Sequence, residues 1–251
     1  MIPSFLGLRS GYSRSGILID KSENTGNDVL MNKKKRFNTQ KHTFIGASLT
    51  TDIQNSTEIA EELPSTVLTR LLETYFSVIS NVLTSSNAVI SSYAGDSITG
   101  VFGFRPVLSP KDTAYIACCA AVKLLQSIQK FNLFLLTQDI PASCVFVTRI
   151  GLEIGEIVGI SNPMAEPVLQ QMLFGKPFNY AQRLSELARP FNESAIVVGP
   201  RTVLTLGEHR SKFCFDPLEK QLLRGVSKPI APYRLLPRKP HWAYATPPFS
   251  I

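Results

Sequence analysis

From Pro64 onward the apolar residues Val67, Leu68, Leu71, Leu72, Tyr75, Phe76, Ile79, Val82 and Leu83 recur at steps of three and four. That period predicts a long amphipathic helix, with Pro64 suited to its first turn. On either side the pattern changes. "TFIGASLT" (43–50) is continuously apolar and β-branched and predicts a buried strand, followed by the polar loop "TDIQNST". "NAVISSYAGDSITGVFGF" (87–104) predicts two strands joined by a tight turn. "SPKD" (109–112) reads as a helix start, with Ser109 as N-cap, Pro110 at the first helical position and Asp112 near the positive end of the dipole. This helix is expected to run to about Leu136. Next, "CVFVTRIGLEIGEIVGI" (144–160) reads as a strand pair turning near Gly155, and Pro177 opens a shorter helix through Ala188. "SAIVVG" is a strand, and "KFCFDPLEKQLLRGVSKPIAPYRLL" closes with a last hairpin. The order, roughly β-α-β-β-α-β-α-β, predicts an α+β domain of ferredoxin-like type, its mostly antiparallel sheet covered on one face by helices.

Composition narrows the class. At 251 residues the chain is one domain with tails, long enough to bury a sizeable core. No apolar run reaches the roughly 18 residues of a membrane span, so no transmembrane segment is expected. The four cysteines, Cys118, Cys119, Cys144 and Cys214, have neither metal-ligand spacing nor a disulfide framework, which suits reduced thiols in a cytosolic compartment. The net charge of +7 suggests nucleic acid until it is located. Residues 1–42 hold eight Lys/Arg against three Asp/Glu, and residues 237–251 two against none, whereas residues 43–236 hold sixteen of each. The folded segment is thus neutral, and a nucleic-acid partner, which needs a basic face, is not expected. Residues 1–42 are read as a flexible basic arm ending in "NKKKRFNTQKH", and 237–251 as a Pro- and aromatic-rich tail. A cytoplasmic location is expected, with organelle targeting or membrane-peripheral attachment through the arm as the alternative.

Candidate chemistry gathers at four side chains. Asp52 follows the first strand and precedes a loop that opens a helix, and Asp96 sits in the turn of the following hairpin. The strand end and the hairpin can be neighbours in one sheet, where two carboxylates could share one or two divalent cations. Loop amides at Asn55, Ser56 and Thr57 would suit phosphate oxygens. Taken singly, Asp52 reads equally as a helix cap and Asp96 as a turn residue. In "FGKPFNYAQRLSELA", Asn179 and Arg183 are four apart and share one helix face. An amide and a guanidinium together suit a nucleotide, although solvated helix polars often show the same spacing.

These blocks resemble, in order and spacing, the catalytic domain of the class III nucleotidyl cyclases, the adenylate and guanylate cyclase family. "LTTDIQNST" resembles the first metal motif, Asp-Ile/Leu-x-Gly-Phe/Ser-Thr, and "YAGDSITGVFG" the second. "RIGLEIGEIVG" resembles the Gly-rich hairpin, "FGKPFNYAQRLSELA" the Asn-x-x-x-Arg helix and "LLRGVSKPIAPYRL" the closing strand; the likeness covers about 43–236. The resemblance implies a nucleoside triphosphate substrate, with ATP favoured, cyclised with release of pyrophosphate. It implies two Mg²⁺ or Mn²⁺ ions held by Asp52, Asp96 and the backbone carbonyl of Ile53. It also implies that Asn179 orients the ribose, Arg183 stabilises the α-phosphate and Arg224 meets the outer phosphates. The family's site lies between two catalytic domains, so a homodimer or a heterodimer with a second cyclase domain is implied. The chain departs from the pattern at Ser92, where adenine-selective members carry Lys, and at Met172, where they carry Asp or Thr; guanine-selective members tend to carry Glu and a Cys-like residue there. Asn55 also replaces a loop Gly. Two readings follow: an enzyme that reads the base differently, through Gln170, Gln171 or its partner, or a non-catalytic or half-site regulatory or structural subunit that pairs with another cyclase domain.

Overall fold

The computed structural model describes residues 40–138, 140–161 and 171–237. Of the basic arm only residues 40–42 fall within that range, and of the C-terminal tail only Pro237. Gln170 lies outside the described residues. The elements are β1 (Gln40–Ile53), α1 (Ser56–Glu62), α2 (Ser65–Ser85), β2 (Val89–Ala94), β3 (Ser97–Phe102), α3 (Pro110–Leu135), β4 (Thr148–Ser161), β5 (Gln171–Phe174), α4 (Lys176–Glu186), β6 (Ala195–Val198), α5 (Pro200–Thr205), β7 (Cys214–Pro217) and β8 (Tyr233–Leu236). The eight strands form one sheet in the order β2-β3-β1-β4-β6-β8-β7, with β5 paired to β4 off this path. Every pairing is antiparallel except β4 with β6. This is the mostly antiparallel, helix-flanked sheet expected from the element order. No helix among the described residues is long and apolar enough to cross a membrane.

The periodic helices form where their pattern places them. In α2, Leu71, Tyr75, Ile79, Val82 and Leu83 are buried; Pro64 stands just before the first helical residue, as its N-cap. In α3, Ser109 caps the N-terminus by accepting from the Asp112 N–H at 3.1 Å, and Pro110 follows it. The α3 residues Ala114, Ala117, Cys118, Ala121, Leu124 and Ile128 share one core with Ala47, Leu49 and Ile53 of β1 and Ile150, Leu152 and Ile154 of β4. Because side chains alternate along a strand, Gly151 and Gly155 lie on the opposite face. There α4 packs: a methyl at Gly151 would overlap the Ala181 carbonyl oxygen, and one at Gly155 would come within 3.0 Å of Pro177. Helices therefore cover both faces, α2 and α3 on one and α4 on the other, rather than the single face expected.

A second correction concerns β4. The segment expected to turn near Gly155 is one strand of 14 residues, paired with β1 along its whole length from Gln40↔Ser161 to Ile53↔Thr148. Gly155 stands opposite Gly46 in this ladder. The glycine that looked like a turn residue leaves room for α4.

Candidate functional site

The β1–β4 ladder continues to the end of β1, so Asp52 lies within the strand and not after it. Its partner across the ladder is Arg149. Directly opposed residues in an antiparallel pair hold their side chains side by side, and the Arg149 Nη2 donates to the Asp52 Oδ2. Both groups are largely withdrawn from water, the side chains being 13% and 8% exposed. Arg149 makes no other polar contact among the described residues; its Nε and Nη1 are buried without partners.

Asp96 reaches the same place from the hairpin. Gly95, at φ +60°, and Asp96 link β2 to β3, and β3 pairs with β1 at Thr51↔Ile98. That register brings the turn beside the end of β1. Burial raises the Asp52 carboxyl above the ordinary carboxylate range, Arg149 pulls it back, and the neighbouring Asp96 carboxylate raises it again. Asp96 and Ile53 also line a small cavity of about 120 Å³ with Ser56 and Ile59. Two adjacent carboxylates next to a strand-end carbonyl form an all-oxygen donor set, which fits a hard divalent cation such as Mg²⁺ or Mn²⁺. No group of three His, Cys, Asp or Glu ligands occurs among the described residues. The remaining ligands would have to be backbone, water or substrate oxygens, as Mg²⁺ sites commonly use.

The loop after β1 differs in detail from expectation. The Asn55 side chain donates to the carbonyls of Val145, at 3.0 Å, and Ser143, and accepts from the Val147 N–H. It ties this corner to the segment leading into β4 and is not free to contact phosphate. Ser56 and Thr57 begin α1, a helix of only seven residues.

The nucleotide-directed residues lie elsewhere on the chain. Asn179, Arg183 and Arg224 line one cavity of about 460 Å³ with Lys176, Gln182 and Ser227. α4 presents the first two on one face, and the Gly225 turn (φ +80°) brings Arg224 opposite them. Arg183 is paired with Glu186 at 2.5 Å. None of the residues lining this cavity lines the one holding Asp96. Ser92 is exposed on β2, and Met172 is 45% exposed on β5.

A third cavity, of about 610 Å³, holds none of the catalytic, metal or nucleotide-binding candidates read from the sequence; Glu153, Glu156, Lys176, Tyr180 and Arg201 are among its lining. Glu153 is 5% exposed. Its Oε1 accepts from the Thr202 hydroxyl at 2.8 Å, the Thr202 N–H at 3.0 Å and the Ile154 N–H at 2.9 Å. Burial nevertheless pushes its pKa from 4.5 up to about 7, against those bonds and the Arg201 charge. Between these values the folded state holds the proton more tightly than the unfolded chain, so stability falls as pH rises from 4.5 to 7. The loss amounts to about 3 kcal/mol. Glu153→Gln keeps the accepting oxygen and removes the titration. Denaturation curves should therefore show it nearly matching wild type at pH 4.5 and exceeding it by about 3 kcal/mol at pH 8. A difference that does not change with pH would refute the assignment.

Comparison with known proteins follows this geometry. The sequence profile of the Adenylate and Guanylate cyclase catalytic domain matches residues 40–236. An uncharacterized protein of Mycobacterium tuberculosis, MT1361, is 25% identical over 195 residues, 76% of this chain and 32% of that protein. Adenylate cyclase 1 of Rhizobium meliloti is 24% identical over 186 residues, 74% of this chain and 26% of that protein. The chain thus spans between a quarter and a third of these relatives. The crystal structure of the adenylyl cyclase CyaB from P. aeruginosa superposes with a TM-score of 0.71 at 20% identity, covering 80% of this chain and 97% of that one; at this identity the likeness concerns the fold. With five sequence blocks, one sheet topology and one profile in agreement, the chain belongs to the adenylate and guanylate cyclase catalytic domain family.

Proposed function

We propose that the chain is a nucleotidyl cyclase that converts a ribonucleoside triphosphate into a 3′,5′-cyclic nucleotide and pyrophosphate, at sites shared between two copies. One observation carries this reading. The carboxylates Asp52 and Asp96 meet at the end of β1, while Asn179, Arg183 and Arg224 meet in a separate cavity of the same chain. Neither half is sufficient alone, and two chains facing each other with twofold symmetry would complete each half with the other's residues. In the complete site the substrate's 3′-hydroxyl attacks the α-phosphorus and the bond to the pyrophosphate oxygen breaks. Asp52, Asp96 and the Ile53 carbonyl would hold two Mg²⁺ or Mn²⁺ ions, which would supply activation of the hydroxyl and neutralisation of the triphosphate. Asn179 orients the ribose. Arg183 holds the charge that builds on the α-phosphate, and Arg224 the outer phosphates. ATP is the favoured substrate, in keeping with the name of the Rhizobium relative. We place this activity in residues 43–236, with 1–42 as an arm and 237–251 as a tail, in the cytoplasm.

A non-catalytic subunit is the second reading. It is favoured by the thioether of Met172 and the short hydroxyl of Ser92 at the positions where the family reads the base.

Two measurements decide between them. The full chain is incubated with ATP, GTP, CTP or UTP and Mg²⁺ or Mn²⁺, and pyrophosphate release is followed. Asp96→Ala and Arg183→Ala are then mixed in equal amounts. Random pairing puts both lesions into one site of each mixed dimer and leaves the other intact, so about a quarter of wild-type activity should return from two inactive parents. No turnover of any of the four by a chain shown to be dimeric would overturn the self-sufficient enzyme.

A further inference from the structure

The Asp52–Arg149 pair is more than a salt bridge at the edge of a site. A buried arginine held for structural reasons alone normally has its donors satisfied, because an unpaired N–H in a dry interior costs about as much as a lost hydrogen bond. Among the described residues, Arg149 uses Nη2 on the Asp52 Oδ2 and leaves Nε and Nη1 buried without partners. Its attachment is therefore incomplete, although its charge sits where the site needs one. Asp52 is only 13% exposed and has the Asp96 carboxylate beside it.

We propose that Arg149 is a stand-in cation: it neutralises Asp52 when no divalent ion is bound, and must leave the Asp52 Oδ2 for such an ion to bind. This rests on the reading of Asp52 and Asp96 as cation ligands. A guanidinium and a divalent ion on the same oxygen repel each other by several times thermal energy, even at the effective dielectric of a partly hydrated site. The two states therefore exclude each other. Asp52 is neutralised without metal, at the expense of metal affinity, because every ion that enters must first displace the arginine. Nε and Nη1, idle in the metal-free state, become with Nη2 a free set of donors once the exchange has occurred.

The proposal is tested on the full chain, without nucleotide, using Mn²⁺ alone. Free Mn²⁺ is followed by electron paramagnetic resonance, and thermal unfolding is recorded with and without the ion. Arg149→Met removes the competing charge and should bind Mn²⁺ at least tenfold more tightly than wild type. Arg149→Lys keeps a charge and should stay within about threefold of wild type, and Asp52→Asn should lose binding. Without metal Arg149→Met should melt below wild type, and Mn²⁺ should raise its melting temperature by more than it raises that of wild type. If the Met variant is too unstable to isolate metal-free, it is purified in Mn²⁺. Loss of far-ultraviolet dichroism on chelation, recovered on returning the ion, then gives the same support. Equal Mn²⁺ affinity in wild type and Arg149→Met overturns the stand-in role and leaves the cation reading of Asp52 and Asp96 standing. No Mn²⁺ binding by wild type or by any variant at millimolar concentration overturns both.

Discussion

Asp96→Ala should lower pyrophosphate release by about a thousandfold or more, with the fold intact. The magnitude follows from what a carboxylate does at such a site. Removing one group that helps place charge opposite a reacting phosphate typically costs two to three orders of magnitude, and loss of a bound ion costs more. The structural cost is small because Asp96 lies in the two-residue link between β2 and β3 and is only partly buried. Its removal also takes a like charge away from Asp52, which eases the ionisation of that residue. The variant should therefore give the same far-ultraviolet spectrum and a melting temperature close to wild type, with activity lost. A decrease of less than tenfold would mean that Asp96 is the turn residue its local sequence also allows, and that another group completes the site.

Gly151→Ala should have the largest effect on stability, although it adds a single methyl. The added carbon would overlap the Ala181 carbonyl oxygen and meet the backbone nitrogen of Ser185 at 2.5 Å. Both belong to the backbone of α4, so no side chain can rotate away, and α4 must lift off the sheet. Overpacking that side-chain adjustment can absorb costs 1–3 kcal/mol, and a displaced helix costs more. We expect at least about 3 kcal/mol in a urea titration, together with loss of activity, because Asn179 and Arg183 are carried on α4. Gly95→Ala is the matched control: nothing lies within 4 Å of its added methyl, and only the positive φ is penalised. That control should lose about 1–2 kcal/mol. A Gly151→Ala protein within 1 kcal/mol of wild type would show that α4 does not sit where it is placed here.

How legible this site was depends on the kind of signal each residue carries. The helices α2 and α3 could be read directly, because their buried positions follow the 3.6-residue period and Ser109-Pro110 marks a start. Asp52, Asp96, Asn179 and Arg183 could be found because each lies in a short motif with a chemical reason for its spacing. Arg149 could not be found that way. Its importance comes from standing opposite Asp52 in the β1–β4 register, and register is set by the packed sheet. The error at Gly155 has the same origin. A glycine within an apolar run suggests a turn, but here the constraint is a helix resting on the sheet, which local sequence does not display. One clue was present: in "TRIGLEIG" the apolar residues Ile150, Leu152 and Ile154 alternate with Arg149, Gly151, Glu153 and Gly155. Such alternation describes a single two-faced strand. The two glycines on its second face mark where a helix approaches, with Glu153 between them and an arginine at the end.

The positions of the strands also bear on how this domain can diverge. Asp52 and Arg149 lie on β1 and β4, interior strands paired to each other over 14 residues. Ser92 lies on β2, the outermost strand at one end of the sheet, and Met172 on the four-residue β5, which among the described residues pairs with β4 alone. A substitution at an outer strand perturbs one ladder at most, whereas one at an interior strand perturbs two. If the outer positions select the base, selectivity can drift in a lineage while the charge-handling centre stays under strict purifying selection. On that reading, Ser92 and Met172 can be exchanged at a smaller structural cost than Asp52 or Arg149.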